Sequence, residues 1–497
     1  MRMSSMWIKP MYPGWFVCSN GQDIIIPMKR SNSIFTGLFN GLLLIGLVML
    51  SLGPRYLAGW MDLRHAEEAI EESRYAEASL FYASAALRLP ASDELWEKAG
   101  MAALAAGDTE SARSQLERAR SLTPQGRLTL GEVYFALGDA EGALKIWKAM
   151  QGEPVILPDL LDHLARFYEQ QGDYETAIRY FYELRDLDPS DVEAQYRLGA
   201  LLAAFSPREA TSELGAMVSR YAAPDARLQF LNESLSTAMQ VDDPAYQFVS
   251  VGRALAVLEE WPLAAEAFRS ALADDPDYAE AWAWLGEAYQ HTGLDGLNQL
   301  ERAVRLRPDS ATCRAFYALY WLRKNRPAVA LESLLTAEDL EPGNAAWQVM
   351  IGDTYVHLGD LVQALAHYKQ AVSVAPDEAG YWHALADFCL RYNVEISQTG
   401  LSAASRLLVL EPEDWQSLDT MGQMMLALDR FFEAENYLQR AAESAPEEAD
   451  VHMHLAWLFL QTGDRTSAYD QLVRVRGLDP GGELGLQAER LLEHYFP

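Results

Sequence analysis

The sequence predicts an all-α solenoid of about twelve stacked helix pairs, preceded by one transmembrane helix. Three observations lead there. Pro308, Pro342, Pro376, Pro412, Pro446 and Pro480 recur at intervals of 34, 34, 36, 34 and 34 residues, a period typical of repeat architectures. No stretch alternates apolar and polar residues with period two, so no sheet is expected. Ile34–Leu52 is uncharged and mostly apolar, with Lys29-Arg30 just before it. At 1.5 Å per residue that run makes a helix of roughly 28 Å, close to the ~30 Å hydrocarbon core of a bilayer.

Residues 1–33 carry no fold signal and are expected to be a disordered tail. Met28-Lys29-Arg30-Ser31 within it also reads as an alternative start of a signal-anchor. Residues 34–53 are expected to be an uncleaved transmembrane signal-anchor. A cleaved signal peptide is the competing reading, with Ser51-Leu52-Gly53 as a passable cut site, and a lipoprotein would need a cysteine that this stretch lacks. Lys and Arg are more frequent before the span (Arg2, Lys9, Lys29, Arg30) than just after it (Arg55, Arg64). The positive-inside rule then places the repeats on the extracytoplasmic side of the cell membrane, in a single-pass topology.

Residues 59–225 form an N-terminal block of repeats and 245–482 a C-terminal block. Between them, 226–244 reads as an irregular half-repeat, and 483–497 reads as a capping helix, because an open terminal face would leave apolar surface wet. Within the blocks the spacing is imperfect. Units overlap by two residues at Pro124, Pro207 falls where a turn is due, the unit after Ala279 lacks two residues, and the unit after Ala379 carries two extra near Asn393. The middle of the array is the expected place for a bend or break.

Between successive prolines the same residue types return. One unit reads Ile351-Gly352, Tyr355, Gly359-Asp360, Ala364, Tyr368, Ala371, Pro376; another reads Leu164-Ala165, Tyr168, Gly172-Asp173, Ala177, Phe181, Pro189. Large residues at the fourth, seventh, eleventh and twenty-fourth positions make helical stripes. Small residues at the eighth and twentieth let two antiparallel helices approach. Gly-Asp supplies a left-handed turn and a helix start, and the proline ends the second helix. The pattern resembles the tetratricopeptide repeat. The resemblance implies a right-handed superhelix of such pairs, whose concave face is lined by the second, fifth, ninth and twelfth positions of each first helix.

Carried onto the first units, those positions give Glu94, Glu97, Met101 and Leu104, then Gln125, Leu128, Glu132 and Phe135, then Asp159, Asp162, Arg166 and Glu169. The partner-binding candidates are Glu94, Glu97, Met101, Glu132, Phe135, Asp159, Asp162 and Arg166. They are acidic or apolar rather than basic, which argues against a chaperone-type clamp on a C-terminal carboxylate. They suit a basic or amphipathic protein or peptide partner.

The net charge of −31 is uneven, since residues 1–55 hold five basic side chains against Asp23 alone. An acidic array repels nucleic acid, so no nucleic-acid role is expected. Cys18, Cys313 and Cys389 contain no C-x-x-C pair. His452-Met453-His454 cannot chelate one ion, because i and i+2 point apart on a helix, and His383 with Asp387 reads as a surface pair. No phosphate loop, G-x-S-x-G, H-E-x-x-H or EF-hand spacing occurs. No catalytic residue, metal or cofactor is expected, and the chain is not expected to be an enzyme. The leading functional expectation is a membrane-anchored interaction scaffold or assembly factor. The alternatives are a helper subunit of an envelope glycan-synthesising enzyme or glycosyltransferase, or an assembly factor for cytochrome maturation or secretion.

Overall fold

The computed structural model describes residues 53–89, 93–152, 157–220 and 225–496. The span expected at 34–53 lies outside them but for its last residue, as does the tail. Among the described residues the secondary structure is helical, and no helix is long and apolar enough to cross a membrane. The chain forms two compact units, one up to Leu164 and one from Ala165 onward.

The first unit contains α1 (53–71), α2 (Tyr75–Arg88), α3 (Asp93–Ala105), α4 (Thr109–Leu116), α5 (Pro124–Ala136), α6 (Ala140–Ala149) and the first half of α7 (Leu157–Gln170). Helices pair as α1/α2, α3/α4 and α5/α6. Small residues set the spacing: a Cβ at Gly131 of α5 would lie 2.3 Å from Nε1 of the buried Trp147 of α6. Trp147 Nε1 donates to the Leu128 carbonyl at 3.2 Å, so the indole is buried without losing its hydrogen bond. The overlap at Pro124 appears as a shortened α4 of 8 residues, with Pro124 opening α5.

The Gly-Asp turns explain how one helix feeds the next. Gly107, Gly138, Gly172, Gly359 and Gly463 have φ of 80°, 85°, 76°, 79° and 82°. The following aspartate caps the next helix each time; Asp139, for example, accepts from Gly142 N at 2.9 Å. Where the glycine is missing, Glu259, Asn325 and Asp429 take the left-handed conformation instead, at φ 61°, 55° and 58°.

The second unit continues through α8 (Tyr174–Leu187), α9 (Val192–Phe205), α10 (Pro207–Arg220), α11 (Ala226–Ala238), α12 (Pro244–Val257), α13 (Trp261–Asp274), α14 (Ala279–His291) and α15 (Leu297–Leu306). Then follow α16 (Ala311–Arg323), α17 (Pro327–Leu340), α18 (Ala345–Leu358), α19 (Leu361–Val374), α20 (Ala379–Tyr392), α21 (Leu401–Leu410), α22 (Trp415–Ala427), α23 (Phe431–Ser444), α24 (Ala449–Thr462), α25 (Arg465–Leu478) and α26 (Glu483–Tyr495).

The periodic prolines act twice. Helices α15, α17, α19, α21, α23 and α25 each stop two residues before one, and the residue between is held at φ −124° to −134°, away from the α region as a following proline requires. The carbonyls of several such prolines then anchor later helices. Pro376 O accepts from Trp382 Nε1 at 2.9 Å, Pro446 O bonds His452 Nε2 at 3.0 Å, and Pro446 O also accepts from Arg474 at 2.7 Å. One backbone oxygen thus ties both helices of the next pair to the turn before them.

Departures from the period are absorbed locally. Residues 393–400 take up the two extra positions: Asn393 and Glu395 are left-handed (φ 53° and 44°), and Ile396–Gly400 forms a π-helical turn leading into α21. In the shortened unit the Gly296 and Gly286 backbones meet so closely that a Cβ at Gly296 would lie 2.0 Å from the Gly286 carbonyl.

The middle of the array is rebuilt. Pro207 starts α10, and α9 packs against α8, α10, α11, α12 and α13. Nearly all of α9 is consequently buried, including Tyr196, Leu198 and Ala200–Ala204, as its unbroken apolar run from Leu198 to Phe205 allows. Arg197 is its one cation. Its side chain, 17% exposed, lies between Glu169 and Glu260 (Nη1 to Oε1 of Glu260, 2.6 Å), and Tyr196 donates to Glu260 at 3.0 Å.

Candidate functional groove

The first helices of the last three pairs, α20, α22 and α24, enclose two adjoining hollows of about 430 and 340 Å³. Their walls share Asp387, Leu390, Arg391, Gln423 and His454. Leu426, Trp457 and Gln461 extend one hollow; His383, Gln416, Asp419 and Asp450 extend the other. Small residues at Ala386, Gly422 and Ala456 face the partner helices, which leaves the larger side chains one position later (Asp387, Gln423, Trp457) to point into the open.

At the floor, Asp419 is buried with both oxygens engaged: Oδ1 lies 2.9 Å from His454 Nδ1, and Oδ2 accepts from Gln423 Nε2 at 2.8 Å. Burial alone would depress the His454 pKa. The hydrogen bond and charge of Asp419, with Asp450 beyond it, outweigh burial and raise it above the usual histidine value. Arg391 pairs with Asp387 at 3.0 Å across one turn. Asp450 is exposed at the rim and makes no hydrogen bond or ion pair with another described residue. The groove thus offers the exposed Asp450 carboxylate, the amides of Gln416 and Gln461, and an apolar wall from Leu390, Leu426 and Trp457.

The Asp419–His454 pair predicts a pH effect of definite sign. A histidine whose folded pKa is raised contributes stability fully below its unfolded value of about 6.5, and that contribution is lost as pH rises through the folded value. As the pH rises above about 6.5, the melting temperature of the wild-type chain should therefore fall by more than that of His454→Gln. Parallel curves for the two proteins would refute the pairing.

The candidates from the first units are placed differently. Glu94 is exposed and pairs with Lys98 at 2.8 Å, which lowers its pKa. Glu97 is buried and is no part of an open surface: it accepts from Thr123 N at 2.9 Å and from the Thr123 hydroxyl. With Asp93, which accepts from Arg120 N at 3.1 Å, it pins the connection left by the short α4. That is a correction, and its cause is the missing helical turn, which needed a side chain to satisfy its backbone. Met101 is half-buried. Phe135 packs edge-on against Trp147. Glu132 lies 3.7 Å from His163, whose ring also bonds the Asp159 carbonyl at 2.7 Å. Asp162 belongs to the first unit and Arg166 to the second, where Arg166 lines a cavity of about 580 Å³ beside Glu169 and Arg197.

The residues of the C-terminal groove obey the same slot rule in the last units. His383, Asp387 and Leu390, Gln416, Asp419, Gln423 and Leu426, and Asp450 and Trp457 all occupy second, fifth, ninth or twelfth positions. The signal was therefore present in the sequence. What it lacked was a reason to prefer one end of the array.

Family models described as tetratricopeptide repeat match residues 97–151, 158–201, 294–345, 322–381 and 424–483, and one described as TPR repeat matches 252–293. Together they span more than half of the sequence. The chain is a tetratricopeptide-repeat protein. It is similar to Superkiller protein 3 of Schizosaccharomyces pombe, 28% identical over 211 residues, 42% of this chain and 14% of that protein. It is also similar to anaphase-promoting complex subunit 3 of Dictyostelium discoideum, 25% identical over 107 residues, 21% of this chain and 11% of that one. The chain thus spans only a small part of the length of these relatives. The crystal structure of yeast Tom70 superposes with a TM-score of 0.41 at 15% identity, covering 88% of this chain and 95% of that one. A tetratricopeptide array is a scaffold suited to protein–protein interaction.

Proposed function

We propose that this tetratricopeptide-repeat protein is a membrane-tethered, extracytoplasmic scaffold that holds an extended segment of a partner protein in the groove of α20, α22 and α24, and performs no chemistry itself. The observation that carries this reading is the composition of that groove. Asp450, which has no hydrogen bond or ion pair among the described residues, lines one hollow with Leu390 and Gln416; Leu426, Trp457 and Gln461 line the adjoining one, and the two glutamine amides can pair with a peptide backbone. Charge complementarity favours a partner residue with a Lys or Arg head next to an aliphatic side chain.

The test is site-specific photo-crosslinking in intact membranes, with the reactive residue at Gln423 in the groove or at the exposed Val362 of α19. A discrete protein adduct from position 423 and none from 362 is expected. Equal yields from both, or none from 423, would overturn the reading.

A further inference from the structure

The start of the first unit carries an exposed apolar surface that the groove does not use. In α1, Tyr56, Leu57, Trp60 and Met61 are exposed, Leu57 by 65% and Trp60 by 63%. These positions fall on one side of the helix, opposite Ala66 and Ala69, which are fully buried against α2. From Arg64 onward the exposed side of α1 turns charged, with Arg64, Glu67, Glu68 and Glu71. The change takes place within one turn. At the same level Leu87 of α2 is 61% exposed, and Arg55 Nη2 donates to the Leu87 carbonyl at 2.7 Å, which brings these ends of the two helices to one height.

A Trp and a Tyr on an apolar band, with an arginine at its edge and charge beyond, is the composition of a bilayer–water boundary. The apolar run Ile34–Leu52 ends immediately before this band in the sequence. We infer that Tyr56, Leu57, Trp60, Met61 and Leu87 rest in the lipid headgroup layer, so that the first helix pair is seated on the membrane. This rests on the membrane-tethered reading above. It adds that the contact is made by the folded first unit as well as by the span. The band is shallow. Leu80, also exposed on α2, lies about 10 Å further along that helix and above the headgroups.

The full chain, reconstituted in vesicles of phosphatidylethanolamine and phosphatidylglycerol, tests this with p-benzoylphenylalanine in place of Leu57, Trp60 or Leu80, one at a time. These sites are exposed, so the replacements leave the core unchanged. Lipid adducts at 57 and 60, at least fivefold above those at 80, are the expected result. If the chain resists alkaline extraction but 57 and 60 give chain-to-chain products, or no adduct, the seating is wrong and the anchor stands. If alkali extracts the chain, the anchor fails too. As a second measurement, Trp60→Phe should remove a component of tryptophan fluorescence quenched by shallow brominated lipid; unchanged quenching would contradict the proposal.

Discussion

Arg197→Ala should destabilise the second unit by about 3–5 kcal/mol, the usual cost of removing one partner from a buried ion pair. The guanidinium is the cation between Glu169 and Glu260, whose side chains are 12% and 18% exposed. Without it, two carboxylates are left facing each other at low solvation, and Tyr196 remains committed to one of them. The helices concerned, α9 and the start of α13, are joined across 63 residues of sequence. Loss should therefore appear as early melting of the rebuilt middle of the array. Urea denaturation followed by circular dichroism would measure it. The triple replacement of Arg197 by Met with Glu169→Gln and Glu260→Gln should recover most of the loss, since it removes the charges together. If Arg197→Ala lies within about 1 kcal/mol of the wild type, solvent reaches this cluster and the burial argument fails.

Trp457→Ala and Asp450→Lys should each weaken capture of a basic, aliphatic peptide, by different routes. Trp457 is the aromatic wall of the groove, and truncating such an anchor costs about 2 kcal/mol or more, roughly 30-fold in affinity, through faster dissociation. Asp450 is a rim charge. Its reversal should slow association about tenfold and invert the salt dependence, while leaving dissociation nearly unchanged. Trp457 also packs on the terminal cluster of Met453, Leu472 and Leu492, so Trp457→Phe serves as the control that keeps the fold. Affinities for both variants within twofold of the wild type would show that the groove is unused.

The repeat period, the Gly-Asp turns and the proline stops were legible because each depends on backbone chemistry that one residue type supplies. Gly359 and Gly463 were expected in left-handed turns, and they adopt them. The course of α9 was not legible. Its residues read as one more first helix, and only contacts with α11, α12 and α13 make it a helix buried on all sides. Glu97 was misread for a related reason. The slot rule fixes where a side chain points, but a shortened connection 26 residues away claimed its carboxylate. The C-terminal groove was encoded in the same slots. It stands out in the structure because Asp419, Gln423 and His454 satisfy one another and leave Asp450 with no hydrogen bond or ion pair among the described residues.

The most direct test of the scaffold reading is a selection of displayed, random peptides on the intact chain, run in parallel on Asp450→Lys. Sequences that pair Lys or Arg with an aliphatic or aromatic residue, enriched on the wild type and lost on the variant, are the predicted result. Enrichment of acidic sequences, or the same sequences from both proteins, would contradict it.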